Sequence, residues 1–168
     1  MAEAVMYMSG LPKEVYQMAQ FSPIEDVVLP LLREALPWLE VVSQMTFAQS
    51  LPLIIARRTY SGAEGGDPRF IDAGDLVVHT LAEGPDGDAD AAVLAEAARI
   101  ALFDAWRENK QVPGRGYLTR VEVRTPPRRA ADWITPQGPV QYADLPELTW
   151  RYEATYSISV RRPRHRRP

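Results

Sequence analysis

Few residues in this chain have the types and spacing that chemistry needs. There are two histidines, His79 and His165, and no cysteine. Without thiols, disulfides and cysteine catalysis are excluded, and the composition fits a reducing compartment. His79 lies inside the apolar run Leu76–Ala82. With no second histidine nearby, a metal there would need carboxylates brought from elsewhere. His79 therefore reads as a hydrogen-bonded sheet residue rather than a ligand or general base. Asp86, Asp88 and Asp90 have the spacing that opens a calcium loop, but the loop then fails. Ala91 stands where glycine is required, and Ala97 where the closing glutamate belongs. No nucleophile elbow, Walker loop or dinucleotide fingerprint occurs. Gly62, Gly65 and Gly66 sit in a turn-rich stretch instead. Carboxylates are numerous, and nothing in their spacing singles out an acid–base pair. The expectation is a protein without catalytic residues, metal or cofactor.

The last eight residues hold a different kind of chemistry. Arg161, Arg162, Arg164, Arg166 and Arg167 are five of the nineteen basic residues, and His165 stands among them. Residues 1–160 keep fourteen basic residues against twenty-two acidic ones, a net of −8 on an acidic body. Such asymmetry suggests an electrostatic contact with an acidic neighbour or with nucleic acid, beside the plainer reading of a solvated tail.

Periodicity locates the elements that must position these groups. Ser22, Pro23 and Glu25 form a helix start, and Ile24, Val28, Leu31, Leu32 and Ala35 then line one face. Asp26, Arg33 and Glu34 point away. Pro30 falls on the polar side, where a mild kink is tolerable, so helix is expected over 23–36. Strands are expected at 39–45, at 53–60 and at Leu76–Ala82. The three aspartates favour a helix N-terminus, and a second helix is expected from Ala89 to about Asn109. Ala91, Leu94, Ala98, Ala101, Leu102 and Ala105 make a face of small residues suited to lying close on a sheet. Val93, Ile100 and Phe103 fall on the opposite side, beside Glu96 and Arg107. A helix apolar on two faces is covered on both, by a loop of its own chain or by another subunit.

Two more strands close the chain. Tyr117–Arg124 alternates, and the alternation from Leu148 to Val160 is the strongest signal in the sequence. Leu148, Trp150, Tyr152, Ala154, Tyr156, Ile158 and Val160 lie on one face, with polar residues between them. The order helix, strands, helix, strands makes one α+β domain over 1–161. Its sheet is mostly antiparallel, with both helices on one face, and the arginine tail 162–168 follows. Two stretches, 61–75 and 126–147, reach or exceed the usual upper length of structureless loops, about 12–15 residues. The second holds five prolines with Trp133 and Tyr142. Arms of that length suggest reach toward a partner. No apolar run approaches the roughly 18 residues of a membrane span, and Met1–Met6 lacks the basic start of a secretory leader.

Three stretches resemble the tail terminator proteins of long-tailed, non-contractile phages, especially those of actinobacterial hosts. Arg57-Arg58-Thr59-Tyr60, the glycine loop and Pro68-Arg69-Phe70 look like the family's first strand and loop. Asp75–Glu83, the aspartate-rich turn and Ala89–Leu102 look like its strand–helix centre. Trp150–Arg161 looks like its closing strand. The resemblance implies a virion protein at the tail–neck junction, assembled in the host cytoplasm. It would form a ring, commonly of six copies, that caps the tail tube and stops its growth. Its partners would be its own copies, the tail-tube protein and a head-completion or stopper protein, with DNA only as cargo through the lumen. Val93, Ile100, Phe103, Trp133, Tyr142 and the five tail arginines are the expected contact residues. Two alternatives stand beside this reading: another neck protein (a stopper or connector), and a nucleic-acid-binding module using the tail. Against the second, the body is acidic and aromatics do not interleave with the basic residues.

Overall fold

The computed structural model describes residues 24–45, 50–60, 70–130 and 149–162. Along them the chain runs α1 (Ile24–Ala35), β1 (Glu40–Val42), β2 (Leu53–Tyr60), β3 (Ile71–Glu83), α2 (Gly87–Arg107), β4 (Tyr117–Arg129) and β5 (Thr149–Arg161). The strands form one sheet in the order β1-β2-β3-β5-β4, parallel between β1 and β2 and antiparallel elsewhere. This is the expected α+β architecture.

The closing strand sits at the heart of it. All thirteen residues of β5 pair with β3, from Ile71↔Arg161 to Glu83↔Thr149. Ala154, Tyr156, Ile158 and Val160 are buried beneath the helices, as the alternation requires. Leu76 and Val78 of β3, Ile54 and Ala56 of β2, and Leu118 and Val121 of β4 join the same core. The other face of the sheet holds a smaller apolar cluster of Leu53, Ile55 and Leu81.

Three elements depart from the sequence reading. β3 begins at Ile71, so residues 71–75 belong to a strand and not to the expected loop 61–75. Asp72, Gly74 and Asp75 are poor strand formers, and pairing with β5 overrides that preference. β4 likewise runs through Pro126 and Pro127 to Arg129, taking four residues from the expected loop 126–147. Prolines are tolerated there because β4 is an edge strand, and register shifts at Val123/Thr125 and Thr125/Arg128 accompany them. β1 is shorter than the strand expected at 39–45. Ser61–Arg69, Trp133, Tyr142, Arg164, Arg166, Arg167 and the Ser22–Pro23 cap lie outside the described residues.

The helices are tied to the sheet by side chains. In α1 the buried residues are Ile24, Val27, Val28, Leu31 and Leu32, whereas Ala35 is exposed rather than on the apolar face. The Ile24 amide, a donor without an intrahelical partner, donates to Asp72 Oδ2 at 3.1 Å. Arg58 Nη1 lies 2.8 Å from both Asp72 oxygens, and the Arg58 amide donates to Glu25 Oε1 at 2.9 Å. Burial pushes the Asp72 carboxyl above its ordinary value, while Arg58 and the Ile24 amide pull it down. Asp72→Ala is expected to cost about 2 kcal/mol, since it strands a helix donor and a half-buried guanidinium together. Urea unfolding checks this, and an unchanged midpoint would assign the tie no weight.

At the far end of α1, Arg33 Nε and Nη2 donate to the Val41 carbonyl at 3.0 and 2.8 Å. α2 begins two residues before the expected Ala89, and Asp86 makes no side-chain cap. Gly87 explains the early start. A Cβ there would lie 2.6 Å from Trp150 Cδ1 and 3.2 Å from the Ala82 carbonyl, so only glycine lets the helix begin this close to the sheet. Asn109, at φ 50°, ends the helix, and the Lys110 amide closes on the Ala105 carbonyl at 2.9 Å.

Candidate functional site

α2 carries the expected outer apolar face. Ala91, Ala95, Ala98, Leu102 and Ala105 are buried toward the sheet. The Thr80 hydroxyl donates to the Ala91 carbonyl at 2.8 Å, which registers helix against strand. On the opposite side Val93 is 67% exposed and Ile100 57% exposed. Seven residues apart, they form one stripe along the helix. Phe103 sits differently. It is half-buried, packs on the core and meets Trp106 edge-to-face at 6.0 Å, with the Arg107 guanidinium 5.8 Å above its ring. The outer stripe therefore consists of Val93 and Ile100, with Phe103 on its flank.

Charge borders the stripe. Glu96 pairs with Arg99 at 2.6 Å and Asp104 with Arg107 at 3.9 Å, both exposed. The sheet edge formed by β4 is richer in arginine. Arg120 reaches Glu122 at 2.7 Å, Arg124 approaches Asp75 at 3.9 Å, and Arg128 meets Glu153 at 2.8 Å. Arg129 lies 3.4 Å from Asp88 and 4.2 Å over the Trp150 ring. The hydrogen bond from Arg120 holds the exposed Glu122 carboxyl below its ordinary value. These arginines were not singled out from the sequence. The clue was arginine recurring along an alternating strand, but only the sheet order shows that the strand is an edge. Trp38, 74% exposed in the turn after α1, was also passed over.

The histidine sits apart from this surface. His79 lies on the sheet face away from the helices, opposite Ile55 on β2 and Glu153 on β5. It is buried, and its Nδ1 has no hydrogen-bond partner among the described residues, contrary to the hydrogen-bonded histidine expected. Burial, with Arg151 adding and Glu153 opposing, pushes its pKa down to about 4. Tyr156 is a second orphan. Its hydroxyl is buried without a partner among the described residues, and burial pushes its pKa up to about 12. Among the described residues no group of three or more His, Cys, Asp or Glu could hold a metal ion, and no helix is long and apolar enough to cross a membrane. Of the tail arginines, Arg161 and Arg162 are described. Arg161 ends β5 opposite Tyr117, and both are half-buried.

Comparison with known proteins places the chain among phage proteins. It is 30% identical over 156 residues to the Gene 22 protein of Mycobacterium phage L5, covering 88% of this chain and 98% of that one. The Gene 22 protein of Mycobacterium phage D29 is 27% identical over 146 residues, covering 84% and 94%. A chain from the virion of a native gene transfer agent particle overlaps 88% of this chain and 91% of its own length. Its identity is 18% and its TM-score 0.38. No protein-family model matches. The near end-to-end match at 30% identity settles kinship: the chain belongs to the Gene 22 protein family of Mycobacterium phages.

Proposed function

We propose that this protein is a structural, non-catalytic component of the phage virion. It forms the ring that terminates the tail tube and joins it to the head-completion proteins. The observation that carries the reading is the exposed Val93–Ile100 stripe on a helix whose other side is already packed on the sheet. A surface of that kind suits contact with further subunits, and membership of a family from Mycobacterium phages supplies the setting. Capping a tube needs shape and complementary surfaces rather than a reaction.

Deleting the gene from its phage tests this directly. Particles without the protein should carry tails of uncontrolled, excessive length. Tails of normal length that fail to join heads would instead identify a stopper or connector. Normal, infectious particles would end the structural reading altogether.

The arginine tail has its own expected outcome. Removing residues 162–168 should weaken docking to a neck partner and leave duplex DNA binding negligible at physiological salt. Five phosphate contacts would produce a slope of log affinity against log salt near −4.5, from roughly −0.9 per contact. Tight DNA binding with that slope, lost on truncation, would transfer the tail to a nucleic-acid role.

A further inference from the structure

Charge is segregated across this domain. Along β4 and β5 six arginines stand against two glutamates, and along α1 and α2 seven carboxylates stand against three arginines. The β4–β5 side of the sheet is thus net +4 and the two helices net −4, with Arg129 and Asp88 forming an ion pair between the two sets. Each region also bears exposed apolar side chains. Val93 and Ile100 lie on α2 among Glu96 and Asp104, and Val123 lies on β4 between Arg120 and Arg124.

We infer that the β4 edge of one copy docks on the outer face of α2 of the next. This refines the ring reading and rests on it. The two patches are different surfaces of one chain, so the contact is head-to-tail, the type that generates closed rings. A face-to-face pairing of α2 with α2, or of β4 with β4, would set like charges together. β4 also suits contact through its side chains rather than strand addition, since its prolines and register shifts interrupt the edge.

Charge reversal in trans tests the contact on the full chain. One variant carries Glu96→Lys with Asp104→Lys, the other Arg120→Glu with Arg124→Glu. All four positions are exposed, and circular dichroism with thermal melting confirms that each variant folds. Should either fail to fold, the neutral versions (Gln and Asn for the carboxylates, Gln for the arginines) replace it. Assembly is read by light scattering after gel filtration. Each variant alone should lose the ring, and an equimolar mixture should recover it, because every contact can then pair opposite charges. With the neutral set, the expected result is at least tenfold weaker assembly and a flatter salt dependence. Loss in both variants without recovery on mixing overturns the contact. Rings that persist in both variants overturn it while leaving the ring reading intact. Wild-type protein that stays monomeric, alone and with its tube protein, overturns both. Duplex DNA held by wild type and released by the β4 variant, with assembly unaffected, assigns the arginine edge to DNA and sinks the inference.

Discussion

Protein carrying Val93→Asp and Ile100→Asp is expected to fold, to melt within a few degrees of wild type, and to remain monomeric where wild type assembles. Both side chains already meet solvent in the single chain, at 67% and 57% exposure, so replacing them opens no cavity. The helix is nearly indifferent to the change, because valine, isoleucine and aspartate differ little in helix propensity. An assembled ring would feel it strongly. Each contact would lose the burial of two branched side chains, about 1.5 kcal/mol or more apiece, and would have to accommodate two polar groups in their place. That loss alone should weaken each contact about a hundredfold, even where a new carboxylate meets an arginine of the neighbouring β4. Phe103 is left alone by design. Its ring packs on the core and on Trp106, so its replacement would confound unfolding with loss of assembly. A double variant that still forms rings would move the subunit contact elsewhere on the molecule.

The elements legible in the sequence are those whose pattern and environment agree. β5 was readable because helices cover only one of its faces, which demands strict alternation. α1 and the span of β2 were readable for similar reasons. The misreadings occur where pairing outvotes local preference. Asp72–Asp75 reads as a turn, yet β5 supplies a full row of partners and makes it strand. Pro126-Pro127 reads as a break, yet an edge strand needs no amide on its open side. Sheet order is the deeper gap. Alternation says which residues share a face but not which strand stands at an edge, so the arginines of β4 carried no meaning until β5 was seen to lie inside them. Of the candidate contact residues, Val93 and Ile100 were found from helical spacing alone. The apolar stretch from Val93 to Phe103 did not show that Phe103 turns inward, because 100° per residue leaves it at the margin between the two faces.

His79 should make stability depend on pH with a sign and window set by its burial. In the folded protein its pKa is pushed down to about 4 from the ordinary 6.5, so the unfolded chain takes up a proton that the folded chain refuses. The contribution is intact above pH 6.5, falls as pH drops, and is fully lost below about pH 4. The shift corresponds to about 3 kcal/mol, since one pKa unit is worth about 1.4. Desolvation between Ile55 and β5 is the largest cause of the direction. Arg151 disfavours the imidazolium as well, and Glu153, which favours it, is outweighed. Asp72 works the other way. Its raised pKa lets the folded state take up a proton more readily as pH falls, so wild type alone reports a mixture. Comparison with His79→Leu removes that background. Above pH 7 the variant should match or exceed wild type, because leucine suits the neighbouring Ile55 and removes a buried nitrogen without a partner. From pH 7 to 4, urea midpoints should show wild type losing about 3 kcal/mol more than the variant. Parallel curves for the two proteins would mean that His79 is solvated or paired in solution. Stoichiometric zinc in the purified protein, lost on this substitution, would make it a ligand instead.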